Sequence, residues 1–250
     1  MTKIKTAKEI EAMRESGRML ATVLEVLKGK VAAGISTKDL ADIAAAELKS
    51  LGGEPAFLGY QGFPDVICIS LNNEVVHGIP KPDVLVEDGD IISLDFGVTY
   101  RGMVTDSAIS MIVGRATQKR HLELLEDTRK AMEIGIQQLH DQVRTGDIGS
   151  AIESFLKQKK YGIVRDLVGH GVGHSLHEDP NIPNYGRPDS GPYLSKGMTI
   201  AIEPMVTLGT DRVAIAEDGW TVLTLDGSWS AHFEHTVLIT EDSAEVLTAL

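Results

Sequence analysis

The chain has 250 residues, and its 36 acidic against 24 basic side chains give a formal net charge of −12. This length permits one large core or two small ones, and a hydrophobic content of 42% is typical of soluble globular proteins. The acidity argues against broad nucleic-acid binding, although a local basic patch is compatible with it.

The cysteine count and the hydropathy indicate the cellular compartment of the protein. Cys68 is the only cysteine, which excludes an internal disulfide and a thiolate zinc cluster and is consistent with a reducing compartment. No apolar run approaches the ~20 residues of a membrane span, and residues 1–11 lack the apolar centre of a signal peptide. We therefore expect a cytoplasmic protein without membrane contact.

The first half predicts two helices followed by strands. Thr6 with Glu9 has the spacing of a capping box, and apolar residues then recur at helical intervals. The predicted elements are a helix from Thr6 to about Lys30, a second from Ser36 to Gly52, a Gly-, Pro- and aromatic-rich loop over 57–64, and a strand over 66–71.

The stretch GDIISLDFGVTYRGMVTDS, residues 89–107, has the pattern of a β-hairpin. Its predicted parts are strands over Ile91–Phe96 and Met103–Val113, with Gly97 and Arg101-Gly102 as turn residues. The strands carry Asp95 and Asp106. An ionised carboxylate in an apolar strand is costly unless a cation meets it, so the pair indicates either a metal ion or a salt bridge.

The second half repeats the order of the first. The predicted elements are a helix over 117–139, another ending near Tyr161, a turn-rich run over 169–177, and strands over 198–206, 220–225 and 233–240. Gly197 precedes Glu203 as Gly89 precedes Asp95, six residues before a carboxylate at the end of an apolar run. This order predicts an internal duplication in a single domain, residues 1–250, with halves of roughly 1–115 and 116–250.

The duplication would bring four carboxylates to one axis, those of Asp95, Asp106, Glu203 and Glu234. Without cations they would repel one another and raise each other's pKa, whereas two divalent ions would neutralise them. An oxygen-rich set favours Mn²⁺, Fe²⁺ or Co²⁺ over a structural zinc. Shared carboxylates would hold two such ions ~3.5–4 Å apart and lower the pKa of a water between them towards ~7, which produces a hydrolytic nucleophile.

Context assigns the histidines different environments. His121 and His140 lie in a polar helical stretch, and we expect both to be solvated surface residues. Glycines argue against a helix over 169–177, so His170, His174 and His177 are predicted as loop and strand-end residues. His232 would share a strand face with Glu234, where a ligand role and a supporting or structural role are both open.

Several motifs together resemble the methionine aminopeptidases of the bacterial type I form: His77-Gly-Ile-Pro, Leu94-Asp95, Thr105-Asp106-Ser, Gly169-His170-Gly-Val-Gly, His177-Glu-Asp-Pro, Ile202-Glu203-Pro-Met and Phe233-Glu234-His-Thr. The resemblance covers nearly the whole chain. It implies an α/β (α+β) pita-bread fold, in which two pseudo-two-fold-related halves with antiparallel sheets surround a dimetal site and helices lie outside. It also implies a dinuclear metallo-exopeptidase, a hydrolase that removes N-terminal methionine before a small second residue by means of a metal-activated water.

The resemblance also implies roles for single residues. The implied ligands of two divalent ions, Co, Mn or Fe, are Asp95, Asp106, His170, Glu203 and Glu234, of which Asp106 and Glu234 bridge. As hypotheses for the mechanism, Glu203 also accepts the proton of the attacking water, His177 stabilises the oxyanion and His77 contacts the scissile amide.

The methionine pocket implied by the resemblance is formed by Tyr60, Phe63, Cys68, Leu176 and Trp220, with Phe57 at its edge. An apolar slot with a thiol and aromatic rings suits a flexible thioether, although each of these residues alone would be assigned to core packing. The chain departs from the family pattern at His174-Ser175, at Gln61, where histidine is usual, and at Leu176, where phenylalanine is usual. The last two departures are expected to alter affinity or selectivity. Cys68 is also a hypothesis for covalent inhibition by thiol reagents.

Three other functions are compatible with parts of the pattern. X-Pro aminopeptidases and prolidases keep the same ligands but generally carry an additional N-terminal domain, whereas the first helix here starts at Thr6. A non-catalytic pita-bread module typically has lost ligands, and a dimetal phosphatase would need the phosphate loop or Lys/Arg cluster that this site lacks. Type II methionine aminopeptidases carry an insertion for which 177–203 leaves no room.

The expected partners are N-termini of nascent chains and peptides, with transient ribosome contact, and the expected state is a monomer.

Overall fold

The helices begin and end close to where the sequence predicts. The computed structural model describes residues 2–250, and its helices are α1 (Ala7–Lys28), α2 (Thr37–Leu51), α3 (Lys119–Ile136) and α4 (Thr145–Gln158). Capping boxes at Thr6 with Glu9 and at Ser36 with Asp39 satisfy N–H groups in the first turns of α1 and α2. The predicted helices are confirmed to within a few residues. Among residues 2–250, no helix combines the length and the hydropathy that a membrane crossing requires.

The strands within residues 2–250 form four antiparallel sheets. In chain order they are β1 (Glu54–Pro55), β2 (Cys68–Leu71), β3 (Glu74–Val76), β4 (Ile91–Tyr100), β5 (Met103–Ile112), β6 (Gly162–Ile163), β7 (Gly169–Gly171), β8 (Glu178–Ile182), β9 (Thr199–Ile202), β10 (Met205–Thr207), β11 (Val213–Ile215), β12 (Val222–Thr224), β13 (Ser230–His232), β14 (His235–Ile239) and β15 (Ala244–Val246). One sheet has the order β1-β4-β2 with β5 paired to β4, and the largest has the order β15-β14-β9-β7-β8. The small sheets are β13-β10-β6 and β11-β12-β3.

Strands β4 and β5 form the predicted hairpin, with a shorter turn than expected. They pair over their full lengths, so that only Arg101 and Gly102 form the turn, with φ of 50° and 78°. Positive φ at both central residues is the mark of a type I′ hairpin turn. Gly97, a predicted turn residue, instead lies within β4 opposite Asp106. A Cβ at this position would lie 2.5 Å from a ring carbon of Phe57, so the close approach of the ring requires glycine.

Two of the predicted strands are interrupted where the chain passes between sheets. The strand predicted over 198–206 is divided into β9 and β10, which belong to different sheets, with Glu203 and Pro204 between them. Proline has no N–H to continue the ladder, so the chain leaves the sheet here. The strand predicted over 233–240 begins only at β14, and Glu234 lies in the crossing from β13. Both glutamates therefore lie at crossings between sheets.

Two apolar cores form, one beneath each pair of helices. Helices α1 and α2 pack on the sheet of β2 and β4 through fully buried side chains such as Leu20, Leu40 and Phe96. Helices α3 and α4 pack on the five-stranded sheet through side chains such as Ile152 and Ile200. Each of these two sheets thus buries one face against a pair of helices.

The junction between the two cores runs along β5. The Glu234 N–H donates to the carbonyl of Ala108 at 2.9 Å, and Ser107 Oγ donates to the carbonyl of Glu234 at 2.6 Å. These bonds join the hairpin of the first half directly to the crossing between β13 and β14. The division of the chain into duplicated halves near residue 115 stays a prediction.

Candidate metal centre and substrate pocket

The hairpin places two carboxylates on one face of its sheet. Asp106 lies opposite Gly97 and Asp95 opposite Ala108, so the aspartates occupy diagonal positions with their side chains on the same face. Both residues are buried. The backbone of Asp106 is fixed from the other half of the chain, because its N–H donates to Thr236 Oγ1 at 2.9 Å and its carbonyl accepts from the same hydroxyl at 2.8 Å.

His170 points an imidazole nitrogen at the carboxylates. It lies in the middle of β7, and its Nδ1 donates to the carbonyl of Gly171 at 3.0 Å. Nε2 is therefore the nitrogen without a proton in the neutral ring, and it lies 3.4 Å from Glu203 Oε1. A lone pair directed into a carboxylate cluster is the arrangement of a metal-ligating histidine.

The potential ligand atoms form two overlapping groups. Atoms of Asp106, His170 and Glu234 lie within 4.8 Å of one another, and so do atoms of Glu203, His232 and Glu234. Asp95 lines the same cavity but belongs to neither group. The structure thus brings together all five residues that the resemblance implies as ligands, and it adds His232.

Burial raises the pKa of every carboxyl group in the cluster. It raises the pKa of Asp106 and of Glu203 to about 8. The pKa values of Asp95 and Glu234 are raised well above their usual range, first by burial and then by the neighbouring carboxylates. Within residues 2–250, neither Lys nor Arg forms an ion pair with any of the four. A salt bridge, one of the two explanations of the buried aspartates, therefore does not occur in the described part of the chain.

Unpartnered buried atoms show that the cluster fits a cation. Five of the seven buried side-chain polar atoms that lack a hydrogen-bond partner in residues 2–250 belong here, namely Asp95 Oδ1, Asp106 Oδ1, Glu234 Oε1 and both ring nitrogens of His232. Each such atom costs about 1–3 kcal/mol if nothing satisfies it. Carboxylate oxygens and neutral imidazoles are common donors to divalent metal ions. The residues present therefore fit a divalent metal centre.

An apolar pocket of about 270 Å³ opens onto this cluster. Its aromatic walls pack edge to face, with ring centroids of Phe57 and Phe63 6.5 Å apart and those of Phe63 and Trp220 5.3 Å apart. All the residues of the expected methionine pocket line it: Phe57, Tyr60, Phe63, Cys68, Leu176 and Trp220. Gln61 lines it as well and has a positive φ of 50°.

His77 and His177 line the same pocket. Burial lowers the pKa of His77 to about 4 and lowers that of His177 below its usual value, so both rings are neutral at neutral pH. Nδ1 of His177 lies 2.9 Å from Tyr60 Oη, and the His177 and His170 ring centroids are 4.1 Å apart. The two predicted catalytic histidines are therefore within the cavity that the carboxylates line.

The predicted exposure of two further histidines, His121 and His140, can be compared with the structure. The prediction for His121 is wrong, since it is 4% exposed and its ring stacks on that of Trp229 at a centroid distance of 4.0 Å. A polar helical pattern gives no sign of an aromatic partner over one hundred residues away. His140 is exposed, as predicted. His174 follows β7 and contacts Glu9 at the start of α1, with Nε2 2.8 Å from Oε1.

Comparison with known proteins places this geometry in a family. Residues 11–241 match the model of metallopeptidase family M24. The chain belongs to metallopeptidase family M24. Methionine aminopeptidase 1 of Bacillus subtilis is 46% identical over 98% of both chains. A crystal structure of methionine aminopeptidase from Thermotoga maritima superposes with a TM-score of 0.98 at 45% identity, with all of both chains covered.

Within family M24 the chain is a member of the methionine aminopeptidases, as these full-length identities show. These comparisons confirm the expected family and the expected pita-bread fold. They also confirm the expected enzyme class, a metal-dependent aminopeptidase, which is a hydrolase. A prolidase from Pyrococcus furiosus shares the fold alone, with a TM-score of 0.79 at 24% identity over 99% of this chain and 65% of the prolidase. The M24 fold is therefore common to both enzyme groups, and the sequence identity separates them.

Proposed function

We propose that this chain removes the N-terminal methionine from nascent proteins and peptides, with preference for a small second residue. The observation that carries the proposal is that one cavity has both an apolar, aromatic, thiol-containing wall and the buried carboxylates. A methionine side chain held against the apolar wall would place its own peptide bond beside the carboxylates. The identity to methionine aminopeptidases over the full chain supports the same substrate.

The metal ions would be two divalent ions of Co, Mn or Fe. The residues that would hold them are Asp95, Asp106, His170, Glu203 and Glu234. The family resemblance implies that Asp106 and Glu234 would be shared, and Glu234 belongs to both groups of ligand atoms. Asp95 is included because its buried Oδ1 has no hydrogen-bond partner and its carboxyl group lines the cavity. When bound, such ions polarise a carbonyl group and lower the pKa of a bound water towards ~7.

The chain's own residues would then direct the protons. Glu203 would take the proton of the attacking water on its carboxylate. The Tyr60 hydroxyl can donate to Nδ1 of His177 at 2.9 Å, which leaves the proton of the neutral ring on Nε2, available to the oxyanion of the scissile carbonyl. His77 would contact the scissile amide as a neutral ring, because burial lowers its pKa to about 4.

Gln61 and Leu176 would set the affinity and selectivity of the pocket. Leu176 is 5% exposed and packs with the aromatic wall residues Phe57 and Phe63, so a branched aliphatic side chain stands where the family has an aromatic ring. Gln61 is exposed at the rim. A leucine is smaller than a phenylalanine, so we expect the slot to accept side chains at least as long as methionine, including leucine at a lower rate.

We further propose a monomeric, single-domain enzyme of the cytoplasm that acts on emerging chains with transient ribosome contact. The bonds between Glu234 and β5 support the single domain, because they join the two cores through the site itself. The net charge of −12 implies that ribosome contact would depend on a local surface rather than on overall charge.

The experiment is the release of free amino acid from the peptides Met-Gly-x, Met-Lys-x, Leu-Gly-x and Ala-Pro-x by chelator-treated protein reloaded with Mn²⁺, Fe²⁺ or Co²⁺. We expect metal-dependent release of methionine from Met-Gly-x and little from Met-Lys-x, with Glu203→Ala as the inactive control. Release from Ala-Pro-x instead would assign the chain to the X-Pro peptidases. No release with any metal would favour a peptide-binding module.

Two variants test the histidine roles within the same assay. His77→Ala and His177→Ala should lower turnover of Met-Gly-x by about 10²-fold or more, since each removes a group that acts on the reacting atoms. Their metal content, measured by atomic emission, should stay near that of the unchanged protein. Loss of bound metal in either variant would contradict its assignment as a catalytic rather than a ligating residue.

A further inference from the structure

His232 has a buried imidazole ring, and the proposed function assigns no role to it. It is 1% exposed at the end of β13, and neither ring nitrogen has a hydrogen-bond partner. An unpartnered imidazole in an apolar core is disfavoured relative to a hydrocarbon side chain. Its Nε2 lies 3.4 Å from Glu203 Oε2 and 4.0 Å from Glu234 Oε2, so the ring is aimed into the carboxylate cluster.

Hydrogen bonds fix the backbone of His232 from two sides. The His232 N–H donates to Ser110 Oγ at 2.9 Å, and the same hydroxyl lies 2.7 Å from the His232 carbonyl. On its other side His232 pairs with Met205 in the β10–β13 ladder. The ring therefore starts from a fixed backbone at the junction of the two halves, which is the preorganisation that a ligand requires.

We propose that Nε2 of His232 binds a divalent cation together with Glu203 and Glu234. The ligand atoms of these three residues lie within 4.8 Å of one another, as do those of the other group, Asp106, His170 and Glu234. Glu234 belongs to both groups, so each group has one imidazole and one further carboxylate of its own. This inference rests on the proposed metal centre and extends its ligand set by one nitrogen.

The second imidazole has a consequence for metal choice. A centre with one nitrogen among carboxylates suits Mn²⁺, whereas a second imidazole shifts the preference towards Fe²⁺ and Co²⁺. We therefore expect His232→Gln to weaken Co²⁺ binding about tenfold or more and Mn²⁺ binding less. The competing arrangement is a protonated Nε2 that donates to Glu203 and binds no ion.

Pulsed electron paramagnetic resonance of the Mn²⁺-loaded protein separates the two arrangements, because it detects nitrogen nuclei bonded to the ion. We expect couplings from two imidazoles in the unchanged protein and from one in His232→Gln or His170→Gln. His121→Gln is the matched control, since His121 is also buried with an unpartnered ring nitrogen, but it stacks on Trp229 and belongs to neither group of ligand atoms. It should keep both couplings.

A single imidazole coupling in the unchanged protein would overturn the proposal even if no variant folded. Unchanged coupling and unchanged Co²⁺ affinity in His232→Gln, measured by isothermal titration calorimetry, would overturn it as well. Neither measurement involves a peptide. A protein that shows two coordinated imidazoles but releases no methionine would therefore refute the proposed substrate and leave the ligand assignment standing.

Discussion

Removal of the Lys5 ammonium group should destabilise the loop over 174–177, which carries the pocket residues Leu176 and His177. The Lys5 side chain is fully buried, and its Nζ lies 3.0 Å from Glu178 Oε2, on a side chain that is 11% exposed. The other oxygen of Glu178 accepts the backbone N–H groups of His174 at 2.6 Å and of Ser175 at 3.1 Å. One carboxylate therefore ties the start of the chain to the loop that presents two pocket residues.

The size of the effect follows from the burial of the pair. Deleting one partner of a buried ion pair costs about 3–5 kcal/mol, because the other charge is left without a counter-charge. In Lys5→Met the hydrogen bonds from Thr2 and from the two backbone N–H groups still compensate Glu178, so we expect the low end, about 3 kcal/mol.

The Glu178 carboxyl group makes the stability lost in Lys5→Met depend on pH. Burial raises the pKa of Glu178, but hydrogen bonds from Thr2 and Lys5 outweigh it and hold the pKa below its usual value. A carboxyl with a lowered pKa in the folded state adds stability that is present above its unfolded pKa of ~4.3 and is lost as the pH falls through the folded value. The difference between Lys5→Met and the unchanged protein should therefore narrow on acidification below about pH 4.

The assay is urea denaturation at neutral pH and at about pH 3, followed by far-ultraviolet circular dichroism. Lys3→Met is the matched control, since Lys3 is an exposed lysine of the same segment, and it should change the free energy of unfolding by less than about 0.5 kcal/mol. Glu178→Gln added to Lys5→Met should recover part of the loss, because it removes the unpaired charge. A Lys5→Met midpoint no lower than that of Lys3→Met would refute the reasoning.

Three further predictions concern the site. Burial raises the pKa of Asp106 and Glu203 to about 8, so the folded chelator-treated protein binds protons that the unfolded chain releases. Its melting temperature should therefore fall as the pH rises from about 5 to about 8, and added Mn²⁺ should raise the melting temperature most near pH 8. A melting temperature that rises with pH would contradict this prediction. Gly97→Ala should displace the Phe57 ring and raise KM for methionyl peptides with metal content unchanged, and an unchanged KM would count against the contact. Burial raises the pKa of the Cys68 thiol well above its usual value, so alkylation by iodoacetamide at neutral pH should be slow until the protein unfolds, with Cys68→Ser as the blank; rapid alkylation of the folded protein would refute this.

The elements that could be predicted from the sequence are those with local causes. The capping box at Thr6 and the left-handed Gly52 at the end of α2 act within one turn of their own helix. The shared face of Asp95 and Asp106 follows from the two-residue period of paired strands once the hairpin is recognised. The residues that line the cavity were implied by the motif order of a family and not by local patterns of the sequence.

The elements that could not be predicted depend on contacts between distant segments. The apolar pattern over 198–206 is that of one strand. Pro204 interrupts the ladder locally, but only the pairing of β10 with β13 and β6 shows that the chain continues in a second sheet. The surroundings of His232 depend in the same way on Ser110 and Met205, which lie in other strands. Hydropathy along the chain contains no information about either partner.

The position of the site at the junction should couple metal binding to the association of the two cores. Asp95 and Asp106 come from the hairpin beside one core, and His170, Glu203 and Glu234 come from strands and crossings beside the other. Without a cation, burial and the neighbouring carboxylates raise the pKa of Glu234, so the carboxyl groups beside the hydrogen bonds that join Glu234 to β5 take up protons. We expect a bound cation to replace those protons. Because neither core alone would contribute all of the proposed ligands, the binding free energy of the cation should stabilise only the state in which the two cores are joined. The carboxylates that would activate water would for this reason also be the residues through which a metal ion holds the two cores together.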